Sequence, residues 1–111
     1  MELIETNQDG VLIVEPRGHI DSAASKLFGD RLVELIRSGS RRVLIDFRQT
    51  PYINSAGFHS LLIASKLVEE INGKLVLCGV STELRRLFEI GNFTRLFTIC
   101  DSRDEGVSKL K

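Results

Sequence analysis

The sequence has no tryptophan, one tyrosine, two prolines and two cysteines in 111 residues, and neither sign of charge is in excess. Fifteen Lys and Arg stand against fifteen Asp and Glu. Each shortage excludes something. A nucleic-acid binder neutralises phosphates with a basic surplus, and a polybasic membrane anchor needs the same surplus. A formal net charge of +0 therefore argues against both. Apolar runs stop at about five residues, where a bilayer-spanning helix needs about 20, so no membrane insertion is expected. Cys78 and Cys100 lie inside apolar runs, with neither CxxC spacing nor flanking histidines. They read as small core residues of a reducing compartment. Residues 1–10 show no basic segment followed by an apolar one, so no secretion signal is expected and the cytoplasm is the expected location. His19 and His59 are too far apart in the chain to suggest a metal site. No GxxxxGK[ST] loop, GxGxxG turn or GxSxG elbow occurs, and no cofactor is expected.

What is present is the composition of a folded domain, 42% hydrophobic and 27% charged. No repeat, low-complexity tract or linker divides it, so residues 1–111 are expected to form a single domain. Two apolar runs, 2–6 and 11–15, flank Asp9-Gly10, a pair suited to a tight hairpin turn. Asp21 or Ser22 then caps a helix whose apolar face is Ala24, Leu27, Phe28, Leu32, Leu35 and Ile36, ending at Gly39. Residues 42–47 and 74–78 are near-continuous apolar strands, as expected where helices cover both faces. Between them a second helix runs from about Ser55 to Asn72. Ser81 or Thr82 starts a third helix that reaches Ile90. A short strand over 96–100 follows, and Val107 and Leu110 permit a short terminal helix. The order is ββαβαβαβ: an α/β domain with a mixed, mostly parallel sheet, packed helices and one antiparallel strand from the opening hairpin. Val43, Leu44, Ile45, Val76 and Leu77 should occupy its central strands.

One enzymatic arrangement has to be weighed. Ser55 and His59 are i, i+4 on the second helix, and Asp21 or Asp46 could complete a Ser-His-Asp set. An i, i+4 pair projects outward along one face, and it does not aim the hydroxyl at the imidazole. No catalytic residue is assigned.

The informative stretch is Tyr52-Ile53-Asn54-Ser55-Ala56-Gly57-Phe58. Pro51 stops the preceding ladder, and Asn54 is a good N-cap. Ser55, Ala56 and Gly57 then occupy a first helical turn where free amides and the helix dipole tolerate negative charge. On residue type alone this is a helix start built of small residues. Together with Gly18-His19-Ile20-Asp21 and the strand ending in Asp46, however, it resembles the landmarks of STAS domains, and specifically of bacterial anti-sigma-factor antagonists. The KLVLCGV strand and the following ELRRLFEIG helix extend the resemblance over about residues 5–100.

The resemblance implies a binding module with no catalytic residues and no metal. It places the family's phosphorylated serine on Ser55, with Asp21, Asn54, Ala56 and Gly57 as its neighbourhood. It implies as partners an anti-sigma factor serine kinase and a metal-dependent serine phosphatase that acts on phosphorylated Ser55. The chain departs from the family pattern at Asn54, where Asp is usual; the cap is kept and one negative charge is lost. Related uses of the domain, as a subunit of a lipid-transport ABC complex or of a stress-sensing scaffold, form the alternative. On the second helix Leu61, Ala64, Leu67, Val68 and Ile71 make the core stripe. Ser55, His59, Lys66 and Glu70 lie opposite, with Ile63 among them and Leu62 at their edge. Phe58, His59, Leu62, Ile63 and Lys66 are accordingly expected to form a docking patch beside Ser55.

Overall fold

Asp9 and Gly10 adopt positive φ, 53° and 80°, and fold β1 (Glu2–Gln8) back on β2 (Val11–Arg17) in an antiparallel ladder from Gln8↔Val11 to Glu2↔Arg17. A computed structural model describes residues 1–111. After the hairpin come α1 (Ser22–Arg37), β3 (Arg42–Asp46), α2 (Ser55–Glu70), β4 (Lys74–Cys78), α3 (Thr82–Ile90), β5 (Thr98–Cys100) and α4 (Arg103–Leu110). The five strands lie side by side in chain order, and every pair after the hairpin is parallel. Right-handed crossovers that all step the same way put their helices on the same side.

That side holds the larger core. Leu12, Val14, Val43, Ile45, Leu75 and Leu77 point into it and meet Phe28 and Leu32 of α1, Leu61 and Val68 of α2, and Leu84 and Phe88 of α3. The alternate strand residues, among them Ile13, Leu44, Val76 and Cys78, face the other way and are closed off by Val107 and Leu110 of α4. Strands covered on both faces explain the continuous apolar runs. A Cβ on Gly106 would stand 2.6 Å from Leu44 Cδ1, so a glycine there lets α4 lie close on the sheet. The terminal helix that the sequence merely permits is thus the lid of the second core.

The expected order of elements is observed, with local differences. Leu27, expected in the core, is 57% exposed, whereas Ser25 is buried. The buried stripe of α1 passes through Ala24, Ser25, Phe28, Leu32 and Ile36, and position relative to that stripe outweighs residue type. Ile71 is 38% exposed, because α2 ends one residue earlier and Ile71 is its C-cap. Leu35 and Leu67 are half-buried at the margin of the core. The last strand starts at Thr98, and Leu96 is exposed. Pro16 lies within β2 but beyond the Leu12–Val14 segment that pairs with β3, so its missing N–H costs no bond on that side. Cys78 and Cys100 are register partners on β4 and β5. Burial pushes the Cys78 thiol up to about 12, with the nearby Asp46 charge adding to it, and burial also raises Cys100. Both shifts disfavour the thiolate, the reactive form of cysteine.

The edge strand is tied to α1 by Arg31, which grips both carboxylate oxygens of Glu5 at 2.6 and 2.7 Å. That hydrogen-bonded grip lowers the Glu5 pKa below its ordinary value. A depressed carboxylate stabilises the fold above its unfolded-state pKa and loses that contribution as pH falls through the folded-state value. The stability difference between wild type and Glu5→Gln should therefore be present at pH 7 and close in acid, as read by urea denaturation across pH. For the core, Leu77→Ala should cost about 2–5 kcal/mol. Leu27→Ala should cost within about 0.5 kcal/mol, since its side chain faces solvent. A loss below about 1 kcal/mol at Leu77 would place β4 at the periphery.

Candidate functional site around Ser55

The segments that lead into α1 and α2 lie against one another beyond the ends of β2 and β3. Gly18 N–H donates to the Gln49 carbonyl at 3.0 Å, Ile20 N–H to Tyr52 at 2.9 Å, and Asn54 N–H back to Ile20 at 2.9 Å. Ile20 and Ile53 form a parallel bridge. The Thr50 hydroxyl, buried, donates to the Pro16 carbonyl at 2.7 Å and locks the same junction. Gly18 has a φ of 105°, a backbone conformation that side chains disfavour.

This short ladder brings two helix caps to adjoining positions. The Asp21 carboxylate accepts from Ala24 N–H at 3.0 Å at the start of α1. The Asn54 side-chain oxygen accepts from Gly57 N–H at 2.8 Å at the start of α2. Phe58 N–H already bonds the Asn54 carbonyl. The amides of Ser55 and Ala56, at the first two helical positions, have no acceptor within the helix. Ser55 and Ala56 are exposed, with the positive end of the α2 dipole behind them. Chemically this is a solvent-facing hydroxyl on a platform that can receive an anion.

Gly57 is buried because the first turn of α2 presses on the bridge. A Cβ there would lie 2.6 Å from Ile53 Cγ1 and 3.0 Å from Ile20 Cγ2. Phe58, expected in the docking patch, is only 4% exposed and belongs to the core. Its ring meets Phe88 edge-on at 4.6 Å and stacks on Phe93 at 4.7 Å. The large aromatic directly after the small-residue turn anchors α2 and is not available to a partner. Leu62 is half-buried against the core, so it can offer a partner only part of its side chain. His59, Ile63 and Lys66 are exposed on the same helix as Ser55, with Ile63 at 40%.

Neither carboxylate suits a Ser-His-Asp set. Asp46 is buried on the α4 side of the sheet, where Arg103 binds it at 2.9 and 3.0 Å and Arg48 N–H at 3.0 Å. Asp21 is occupied as a cap. Sequence reading missed the pairing of His19 with Tyr52, whose rings stand 6.2 Å apart on this ladder. Tyr52 is 39% exposed. No local pattern marks such a pair, since strand alignment across thirty-odd residues of chain creates it.

The STAS domain family model matches residues 3–106. BtrV of Bordetella bronchiseptica, assigned as an anti-sigma factor antagonist, is 32% identical over 111 residues, covering 100% of this chain and 96% of that protein. Among solved structures, a Thermotoga maritima protein assigned as an anti-sigma factor antagonist superposes with a TM-score of 0.90. It is 16% identical and covers 97% of this chain and 93% of its own. The Bacillus cell fate determinant SpoIIAA, in its phosphorylated form, gives a TM-score of 0.75 at 14% identity, covering 99% and 100% of the two chains.

The packing at the first turn of α2 generates a test. Alanine normally favours a helix over glycine by about 1 kcal/mol. Gly57→Ala should nevertheless lower the melting temperature, because overpacking costs about 1–3 kcal/mol. A raised melting temperature would mean that the turn does not press on Ile20 and Ile53. Asn54→Ala should cost about 1 kcal/mol through the lost cap, whereas Asn54→Asp should keep it.

Proposed function

The chain belongs to the STAS domain family, and from that premise we propose that it is an anti-sigma factor antagonist switched by phosphorylation of Ser55. Unmodified, it binds an anti-sigma factor that is also a serine kinase, and so releases that kinase's sigma factor. Phosphorylated, it lets the kinase go. A metal-dependent serine phosphatase returns it to the binding form. The observation that carries this reading is the placement of Ser55: an exposed hydroxyl at the first position of α2, on two free amides, beside the caps Asp21 and Asn54. BtrV and the anti-sigma F factor antagonist of Paenibacillus polymyxa, 23% identical to this chain, support the role by their names. SpoIIAA, known in unphosphorylated and phosphorylated forms, supports the switch.

The physical basis of the switch is a difference of surroundings. A phosphate adds about −1.5 to −2 charges. On the free domain that charge faces water, the α2 amides and the dipole, so the fold tolerates it. Against a partner shaped for a hydroxyl the same charge is uncompensated, which costs on the order of 3–5 kcal/mol. At about 1.4 kcal/mol per decade this is roughly a hundredfold to several-thousandfold in affinity. Asn54 in place of the usual Asp leaves Asp21 as the formal negative charge among the two caps. The exposed faces of Ile63, His59 and Lys66 continue the contact along α2.

Calorimetry against the anti-sigma partner decides the matter. Ser55→Ala should bind as tightly as the unmodified wild type and be insensitive to the kinase's nucleotide. The phosphorylated protein should bind at least a hundredfold more weakly, and Ser55→Asp should fall between, because one carboxylate carries less charge than a phosphate. Equal affinities for all these forms would favour a constitutive scaffold or transporter subunit. Ile63→Lys should leave stability within about 0.5 kcal/mol of wild type while weakening the partner more than about tenfold, or 1.4 kcal/mol. Unfolding of that variant would instead assign Ile63 to the core.

A further inference from the structure

At the end of the sheet away from Ser55, where β3 and β4 begin, a cleft of about 530 Å³ opens between the hairpin turn, the segments after α1 and α2, and the end of α4. Its walls carry Arg41, Arg42, Lys74 and Lys109 and no carboxylate. None of these four cations takes part in an ion pair of the chain. Arg42 and Lys74 are direct register partners on β3 and β4. Like charges so placed repel each other and destabilise a sheet. Asp9, in the adjoining turn, is paired with Lys111 at 3.5 Å and does not relieve them. Arg41 is held at the rim by its hydrogen bond to the Asn72 carbonyl at 3.3 Å.

A structural explanation is available and falls short. The C-termini of α1, α2 and α4 converge here, and basic side chains complement helix C-termini. Each such end carries about half a negative charge. Three of them against four full cations leave a surplus of roughly two to three positive charges. In a chain of zero net charge that surplus is a local feature of this cleft. It calls for an anion from outside.

We propose that this cleft binds a small soluble compound bearing two or more phosphate groups, with Arg42, Lys74 and Lys109 as its principal contacts. Guanidinium forks and ammonium groups are the side chains suited to phosphate oxygens. The volume suits a small molecule, within the usual few hundred to about 1,000 Å³ of ligand pockets. Its two apolar members, Leu12 and Leu110, are buried, so no apolar surface is on offer to a lipid tail or a bilayer. The site lies apart from Ser55 and does not rest on the proposed switch.

Titration calorimetry of the intact chain with tripolyphosphate, paired with backbone amide chemical shifts, tests the proposal. Saturable binding is expected, with shifts concentrated at Ser40, Gly73 and Lys74 and an affinity that falls as salt rises. The double variant Arg42→Gln/Lys74→Gln should weaken it at least tenfold, and Ser55→Asp should not change it. Lys109→Gln, on an exposed position of α4, should weaken it severalfold and guards against a folding defect in the double variant. Circular dichroism verifies the fold of each. Absence of saturable binding, or unchanged affinity in both glutamine variants, overturns the proposal. So does tighter binding of a hexaglutamate peptide or of phosphatidylglycerol vesicles than of tripolyphosphate.

Discussion

A parallel sheet with its strands in chain order imposes one constraint from which the other features follow: each helix must run back against the strands. The starts of α1 and α2 therefore gather beyond the C-terminal ends of the strands, and their last turns gather at the other end. The helix dipoles align with this division, so one end of the domain is predisposed to accept negative charge and the other to hold positive side chains. Asp21, Asn54 and Ser55 occupy the first end; Arg41, Arg42 and Lys74 occupy the second. In a chain without net charge, the cleft at the second end is thus a local concentration of positive side chains.

At the Ser55 end the chain meets its backbone needs with short side chains and leaves the rest free. Asn54 serves one amide of α2, and the ladder between residues 18–20 and 49–54 serves the connecting backbone. What remains unsatisfied is what a phosphate on Ser55 would use. The rigidity beneath the site comes from close contact: Gly57 on Ile20 and Ile53, Phe58 between Phe88 and Phe93. A surface modified in the proposed way benefits from such support, because the effect of the new charge is then confined to the interface and does not spread into the fold.

The opposite face of the sheet is secured by charge as well as by apolar contact. Asp46, 1% exposed, receives Arg103 from the first turn of α4, and the same guanidinium reaches Glu15 at 3.5 Å. Buried carboxylates are costly to desolvate, and the arrangement holds because hydrogen bonds from Arg103 and from Arg48 N–H meet the oxygens of Asp46. α4 is thus fixed at its start by an ion pair and along its length by Gly106, Val107 and Leu110. Proximity to Asp46 adds to the burial that raises the Cys78 thiol and favours its protonated form.

Much of this was legible in one dimension. Hydrophobic periodicity and caps placed the starts of α1, α2 and α3 within a residue or so, because an N-cap depends on a side chain reaching its own backbone a few residues away. The start of α4 and its Ser102 cap were not picked out. Continuous apolar runs marked strands covered on both faces, and Asp9-Gly10 marked the hairpin. The ordered motifs pointed to the family and so to Ser55. Burial at the margins was not legible. Leu27 and Ile71 look apolar and face water, while Ser25 and Phe58 are withdrawn from it, since an angle around a helix fixes a side and only neighbouring elements decide how far that side is covered. The His19–Tyr52 pair, the Asp46–Arg103 clasp and the cationic cleft have no local signature at all. Each joins residues distant in the chain, and strand order and register alone decide which of them meet.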